Sequence, residues 1–396
     1  MKTFHFLALA LVLPFFFLSC DDDDNDVTPS FEVPATYEFT RAGVSTVAFT
    51  GQSQRLAMGG ELAAALLDPS KTESELVSMF TNPDGEDPFT DAGLNAATTS
   101  VRSKVAASID LFATNSVRAA TIKADFDGWL SSQVSDVFPN WNELAAVGVA
   151  GQILDGGSVR YVNSWGLEYD QAIVKGLIGA LTYDQIANGY LSLSVLDAGS
   201  NRADNDAGIV VDGEPYTNME HKWDEAFGYI FGGSTTPATP LLDLGNDQFM
   251  NKYLGRLEGD DDYAGIAAET EAALRRGRAA IVAGDYAARD AAASIVIENL
   301  KKVITVRSVF YLMQGKIGLE TGQATFGTAF HDLSEGYGFI YSLRFFGDDD
   351  ATSDGYLNTL RNASGNGWWD IDPAVLETMA REIAADNGLS LEEAGS

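Results

Sequence analysis

A pattern that occurs twice constrains this chain more than any other feature of its sequence. Each copy has histidine, glutamate, glycine and isoleucine in the same register, with an aromatic residue on each side of the glycine. The two copies, which align without a gap, are His221-Lys-Trp-Asp-Glu225-Ala-Phe-Gly228-Tyr-Ile230 and His331-Asp-Leu-Ser-Glu335-Gly-Tyr-Gly338-Phe-Ile340. The sequence has three histidines, and the third, His5, falls in an N-terminal leader. The chain is therefore predicted to be duplicated, with its other two histidines at equivalent positions.

The spacing within each copy is helical. A histidine at i, a glutamate at i+4 and a glycine at i+7 lie on one face of a helix within two turns. The glycine costs about 1 kcal/mol relative to alanine in a helix interior, but it lets a neighbouring element approach closely. With aromatic residues beside that face, the pattern predicts two buried helices.

The rest of the chain favours a mainly α fold. Residues 37–49 are rich in β-branched and aromatic side chains and predict a small N-terminal β-hairpin. After Gly51 the apolar residues recur every three or four positions, and the 45% hydrophobic content is enough for a sizeable core. Helices are predicted at 56–67, 94–112, 119–137, 163–196, 216–231, 241–257, 263–282, 287–313 and 373–385. The second His/Glu helix is predicted to end near residue 346. Gly232-Gly233 marks the boundary between a first half, 37–232, and a second half, 233–396, of a pseudo-twofold helical bundle.

The first residues form a targeting segment. An apolar run after Lys2 ends in Leu18-Ser19-Cys20, which resembles a bacterial lipobox, so residues 1–19 are predicted to be a signal peptide and Cys20 to be lipidated. Asp21 to Asp24 begin an acidic tether or linker, 20–36, that resembles the surface-export signal of Bacteroidota lipoproteins. We therefore expect a lipoprotein of the outer membrane that is exposed at the cell surface. An ordinary secretory leader followed by a solvated tether is the alternative.

Charge and cysteine content exclude several function classes. The formal net charge is −32, so nucleic acid is not an expected partner, whereas a small ligand or a metal ion is. A single cysteine allows no intramolecular disulfide. The chain has no Gly-x-Ser-x-Gly elbow, no Walker loop, no dinucleotide fingerprint after a strand and no His-Glu-x-x-His motif. These absences favour a binding protein over an enzyme.

The candidate site residues come from the duplicated helices. If the two copies face each other, His221, Glu225, His331 and Glu335 converge as two imidazoles and two carboxylates, a set that suits iron or zinc. The alternative is structural, with each glutamate hydrogen-bonded to its own histidine at a helix crossing. No catalytic residue is predicted.

Two other sets of residues have both a functional and a structural interpretation. Glu168, Gln171 and Lys175 share a helix face, which is predicted to be solvated in preference to being a buried polar face. The adjacent Trp368 and Trp369 could stack on a sugar ring, although packing is the commoner role of such residues.

Three segments and the leader resemble a known family. The segments are Asn163-Ser-Trp-Gly-Leu-Glu-Tyr-Asp-Gln-Ala-Ile-Val-Lys-Gly-Leu-Ile-Gly-Ala180, Tyr183-Asp-Gln-Ile-Ala-Asn-Gly-Tyr190 and Glu220-His-Lys-Trp-Asp-Glu-Ala-Phe-Gly228. They look like the Bacteroidota lipoproteins grouped as domain of unknown function 4856, a family that is similar to the imelysins. That resemblance implies a duplicated, imelysin-like helical bundle and an association with iron uptake or with metallopeptidases. The imelysin motif is Gly-x-His-x-x-Glu, whereas both copies here place the glutamate at i+4.

The sequence thus predicts a cell-envelope lipoprotein that acts as a binding protein in nutrient or metal (iron) acquisition. An imelysin-like metallopeptidase is the first alternative, and a glycan-binding accessory lipoprotein is the second.

Overall fold

The computed structural model describes Met1 and residues 31–347, 350–362 and 364–396. The predicted signal peptide after Met1 and the lipidation site Cys20 lie outside these ranges. Within them, no helix is both long enough and apolar enough to cross a membrane.

The first half begins with a short hairpin and continues as helices. Its strands are β1 (Thr40–Arg41), β2 (Val44–Ser45), β3 (Gly151–Asp155) and β4 (Ser158–Val162), paired as two antiparallel hairpins. Its helices are α1 (Thr50–Ala65), α2 (Glu73–Thr81), α3 (Ala92–Asn95), α4 (Val101–Lys104), α5 (Ile109–Phe112), α6 (Ser116–Ser132), α7 (Tyr169–Leu177), α8 (Leu193–Leu196), α9 (Asn201–Asp206) and α10 (Asn218–Phe231). Wider π-helical turns extend α6 over Gln133–Val137 and α7 over Ile178–Tyr183 and Ile186–Tyr190.

The described residues of the second half form helices joined by loops, with no strand among them. Its helices are α11 (Met250–Glu258), α12 (Ile266–Ala283), α13 (Tyr286–Thr321), α14 (Phe326–Ser342), α15 (Ala351–Asn362), α16 (Pro373–Asp386) and α17 (Leu391–Ala394). Short 3-10 turns occur at Phe138–Asn140, Pro240–Asp243, Gln323–Thr325, Leu343–Phe346 and Gly367–Asp370. The predicted mainly α fold is confirmed.

Helices of the two predicted halves pack against one another. Helix α14 of the second half lies against α13 and against α7 of the first, while α10 of the first half lies against α1 and against α12 of the second. Buried side chains of both halves belong to one continuous hydrophobic core. The boundary near residue 232 therefore does not separate two hydrophobic cores. It stays a prediction of where the duplicated halves meet in the sequence.

Local sequence signals explain where the first His/Glu helix begins. The Thr217 hydroxyl accepts a hydrogen bond from the Glu220 amide, and the Glu220 carboxylate accepts one from the Thr217 amide at 2.7 Å. This reciprocal pair is a capping box, which satisfies two amides that a helix N-terminus would otherwise leave without partners.

The glycine of each copy permits the close approach that the sequence predicts. A Cβ added to Gly338 of α14 would lie 2.5 Å from the Cβ of Lys175 on α7, and one added to Gly228 of α10 would overlap Phe49 beside α1. Both duplicated helices therefore use their glycine to seat a neighbouring helix against the face that carries the His and the Glu.

Several sequence predictions are wrong in detail. The predicted helix 94–112 is three short helices, and between the second and the third the amides of Ala107 and Ser108 donate hydrogen bonds to Asp184 in place of a helical ladder. The first hairpin is shorter than predicted, whereas the β3–β4 hairpin, α2 and α15 were not predicted. The linker also ends earlier than residue 36, since Phe31 and Val33 pack against the core.

Candidate functional site

A polar cavity of about 430 Å³ lies beside the second His/Glu helix. Helices α7, α11, α13 and α14 and strand β4 each contribute to its wall. Its charged lining consists of four basic side chains, Arg160, Lys175, Lys252 and Arg256, together with His331, Asp332 and Glu335. The site therefore combines residues of both halves with the second copy of the duplicated pattern.

Glu335 and Lys175 form a buried ion pair in this cavity. The Lys175 Nζ lies 3.1 Å from the Glu335 Oε1, and the two side chains are 4% and 6% exposed. The Tyr253 hydroxyl donates a hydrogen bond of 3.0 Å to the same oxygen. Burial raises the pKa of Glu335, but the positive charges of Lys175 and His331 outweigh burial and lower this pKa to about 2. Glu335 is therefore a carboxylate with two partners.

His331 is held by a glutamate from the other half. Its Nδ1 lies 2.9 Å from the Oε1 of Glu168, whose side chain is 3% exposed. The Glu168 amide in turn donates to the Ser334 hydroxyl of α14 at 3.0 Å. Burial lowers the pKa of His331, but the hydrogen bond and charge of Glu168 outweigh it and raise the pKa above its usual value. Glu168 thus fixes the ring and favours its protonated form.

The polar face of α7 is buried, which corrects the prediction that Glu168, Gln171 and Lys175 are solvated. Glu168 and Lys175 are buried, and Gln171 is half-buried and donates a hydrogen bond from its side chain to Asp170 at 2.7 Å. Burial, followed by the charge of Glu168, raises the pKa of Asp170 to about 7. The face is buried because α14 lies directly across it.

The β3–β4 hairpin closes one edge of the cavity. Arg160 forms an ion pair of 2.7 Å with Asp155, which also accepts a 2.5 Å hydrogen bond from the Thr328 hydroxyl at the start of α14. These contacts tie the hairpin to α14. Next to His331, burial raises the pKa of Asp332 to about 7.

The first copy has different partners. His221 stacks on the Tyr216 ring at a centroid distance of 4.6 Å, and burial lowers its pKa. Glu225 accepts hydrogen bonds from Lys222 at 2.6 Å and from Gln52 at 3.0 Å. Its distance of 3.9 Å from His221 is too long for a hydrogen bond. Gln52 on α1 therefore takes the place that Lys175 on α7 has in the second copy.

Neither sequence interpretation of the four residues describes these contacts. In the second copy, Glu168 and not Glu335 is hydrogen-bonded to His331, so the expected pairing of each glutamate with its own histidine is wrong. Among the residues that the structure describes, no three His, Cys, Asp or Glu side chains are placed to hold a metal ion. The Lys175 ammonium also lies where a cation beside Glu335 would have to lie. Iron or zinc binding by His221, Glu225, His331 and Glu335 therefore stays a prediction.

The adjacent tryptophans are part of the core. Trp368 is fully buried, and its indole NH donates a 3.0 Å hydrogen bond to the carbonyl of Leu360. Trp369 is half-buried and packs edge-on against Phe330. Packing is therefore the role that the structure gives this pair, and the glycan-binding alternative loses its main support.

One family model matches almost the whole of the described chain. It is the family described as Domain of unknown function (DUF4856), and the match covers residues 34–390. The chain belongs to this family. No curated protein and no solved structure is a match for it. In this DUF4856 protein, the three segments that carry the resemblance supply Glu168, Lys175 and His221, while the similarity to imelysins stays a prediction.

Sequence reasoning missed three of the seven charged residues that line the cavity. Arg160, Lys252 and Arg256 belong to no motif, and they reach the cavity from β4 and α11 only because those elements pack beside α14. Tyr253, which binds Glu335, had no signal either. The alternation around Gly156-Gly157, typical of a two-residue hairpin turn, could have placed Arg160 on a strand.

Proposed function

We propose that this DUF4856 protein is a cell-envelope lipoprotein that binds a small nutrient ligand in the cavity beside His331 and Glu335. The observation that carries the proposal is a 430 Å³ cavity where polar side chains from both halves converge on an otherwise apolar core. Ligand sites have volumes of about 300–1,000 Å³ and a few fixed polar groups. The leader that ends in Leu18-Ser19-Cys20 and the acidic run after it support attachment to the outer membrane, facing outwards.

The contacts of the charged residues support binding in preference to hydrolysis. Glu335 is engaged by Lys175 and Tyr253, and His331 by Glu168, so these groups are fixed by protein partners. A metallopeptidase would need such side chains as metal ligands or as a base next to a bound water. Rigidly paired groups are instead suited to orienting a ligand.

A larger cavity elsewhere is a weaker candidate. About 580 Å³ of space lies between α15 and α16, lined by residues such as Tyr356, Thr359 and Met379. Its wall is mainly apolar, and it lacks the converging polar groups of the site beside α14. Size alone does not identify a binding site, because specificity comes from placed polar groups.

A pair of matched substitutions tests which cavity binds. Purified protein would be screened by thermal unfolding against sugars, amino acids, organic acids and nucleotides, since a ligand at a hundred times its Kd stabilises by about 2.7 kcal/mol. Gln314→Trp fills the proposed cavity, and Thr359→Trp places the same ring in the other one. We expect the stabilisation to disappear only in Gln314→Trp. Loss of stabilisation in Thr359→Trp alone, or no stabilising compound at all, would contradict the proposal.

A further inference from the structure

Three cations surround one aromatic ring in the proposed cavity. The Nζ atoms of Lys175 and Lys252 lie 5.4 Å and 5.7 Å from the centroid of the Tyr253 ring, and the Arg256 guanidinium lies 5.6 Å from it. Lys252 and Arg256 are four residues apart on α11, a spacing at which like charges destabilise a helix. The fold therefore concentrates positive charge at this end of the cavity.

Among the residues that the structure describes, Lys175 is the one of these three cations with a carboxylate partner. Lys175 is paired with Glu335, just as Arg160 at the opposite edge is paired with Asp155. Across the described ranges, no Asp or Glu oxygen lies within the 4.0 Å of an ion pair from either Lys252 or Arg256. The other basic side chains of the wall, Arg160, Lys175 and His331, each have a carboxylate partner.

Other positive charges lie close to Lys252 and Arg256. Burial, and then the charge of Lys175, lower the pKa of Lys252, although Glu335 and Asp247 act in the opposite direction. One turn before Tyr311, Arg307 is 5% exposed, and its Nε has no hydrogen-bond partner in the described part of the chain. Burial and the nearby Arg256 lower the pKa of Arg307. A negative charge in the cavity would relieve this repulsion.

The remaining acid of the wall does not supply that charge. Asp332 lies next to His331, and the cations whose charge acts on it are His331 and Arg160, at the hairpin edge. With a pKa raised by burial to about 7, it is half protonated near neutral pH. Among the described residues, Lys252 and Arg256 therefore have no carboxylate at ion-pair distance.

We propose that Lys252 and Arg256 bind the oxyanion group, a carboxylate or a phosphate, of a small ligand, an inference that rests on the function proposed above. A guanidinium matches two oxygens of such a group, and a neighbouring ammonium adds a charge-assisted hydrogen bond. The overall charge of −32 does not oppose this, because charges beyond roughly 8 Å are largely screened at physiological salt.

The test uses the full chain and four probes. Citrate and inorganic phosphate represent the two oxyanions, glucose is the neutral probe and spermidine is the cationic one, and calorimetry measures each affinity. Lys252→Met and Arg256→Gln remove the unpaired cations, and Lys302→Met removes an exposed cation from the surface of α13 as the matched control. We expect at least one oxyanion to bind and each cavity variant to weaken it roughly tenfold to hundredfold, the range for one charged hydrogen bond.

A stability measurement separates binding from a structural role. Because the two cations repel each other, Lys252→Met without ligand should melt at the wild-type temperature or above it, while anion binding is lost. Lys302→Met should bind as the wild type does. A lowered melting temperature with unchanged anion affinity would overturn the inference.

The failure of this inference is distinguishable from failure of the proposed function. If glucose or spermidine binds and Gln314→Trp abolishes that binding, the cavity is a ligand site but not an oxyanion site, which overturns the inference alone. If an oxyanion binds equally well to Lys252→Met, Arg256→Gln and Gln314→Trp, the ion lies elsewhere on the protein, and the inference is overturned as well.

Discussion

Removing Lys175 should destabilise this protein strongly, because the Lys175–Glu335 pair joins the two halves in the interior. In Lys175→Met the Glu335 carboxylate stays buried with the Tyr253 hydroxyl as its remaining close partner. The pKa of Glu335 is lowered from 4.5 to about 2 in the folded protein. At 1.36 kcal/mol for each pKa unit, the whole shift, to which Lys175 contributes most and His331 next, corresponds to about 3 kcal/mol of stability, at the lower end of the 3–5 kcal/mol that breaking a buried ion pair costs.

Denaturant unfolding at neutral pH measures this loss. We expect Lys175→Met to lower the free energy of unfolding by about 3 kcal/mol, and Lys175→Met with Glu335→Gln to recover most of it, because no charge is then left buried. Lys316→Met is the matched control, since Lys316 pairs with the half-exposed Glu320 at the surface, where solvent screens an ion pair and its loss changes stability little. A loss below 1 kcal/mol in Lys175→Met, or a double variant as unstable as the two single variants combined, would refute the reasoning.

The same pair predicts a pH dependence of known sign. A carboxylate whose pKa is lowered by folding stabilises the native state above its unfolded pKa and loses that contribution as the pH falls through the folded pKa. For Glu335 the window runs from 4.5 down to about 2. The difference in stability between the wild type and Lys175→Met should therefore shrink across that window, and a difference that grows would have the wrong sign.

Three further predictions concern other parts of the chain. Gly338→Ala should lower the melting temperature, because its Cβ would lie 2.5 Å from that of Lys175. Gly355→Ala, whose Cβ meets open space, is the control, and equal melting temperatures of the two variants would contradict the close approach. Arg278→Met should cost about 3–5 kcal/mol in denaturant unfolding, because it removes the cation that pairs with the buried Asp224 and leaves Glu220 with Arg41 alone; an unchanged free energy of unfolding would contradict this. Cys20→Ala should abolish labelling by a fatty-acid probe, and unchanged labelling would refute lipidation.

The helical pattern of the sequence predicted most of the fold because it depends on local spacing. The His/Glu helices, the long helix at 286–321 and the last amphipathic helix all follow from apolar residues three and four positions apart. The glycine at i+7 also predicted correctly that a neighbour would approach that face. The prediction of one helix at 94–112 was wrong. Two of the amides in this segment donate hydrogen bonds to Asp184, a side chain that is distant in the sequence.

The site was less predictable because its contacts join elements that are far apart in the chain. The polar face of α7 was expected in water, and only the packing of α14 across it buries Glu168 and Lys175. The cations of α11 have no spacing that distinguishes them from a solvated helix face. They are distinguished by the absence of a paired carboxylate among the described residues. This absence depends on the folded arrangement and cannot be read from the sequence.

The most direct test of the central claim is native mass spectrometry of the protein purified from the cells that make it. The account predicts one small anionic molecule bound to each wild-type chain. That molecule should be absent from Gln314→Trp, whose added ring fills the cavity beside α14, and present in Thr359→Trp. A wild-type chain that carries no small molecule, or a Gln314→Trp variant that still carries it, would contradict the claim that this cavity is the ligand site.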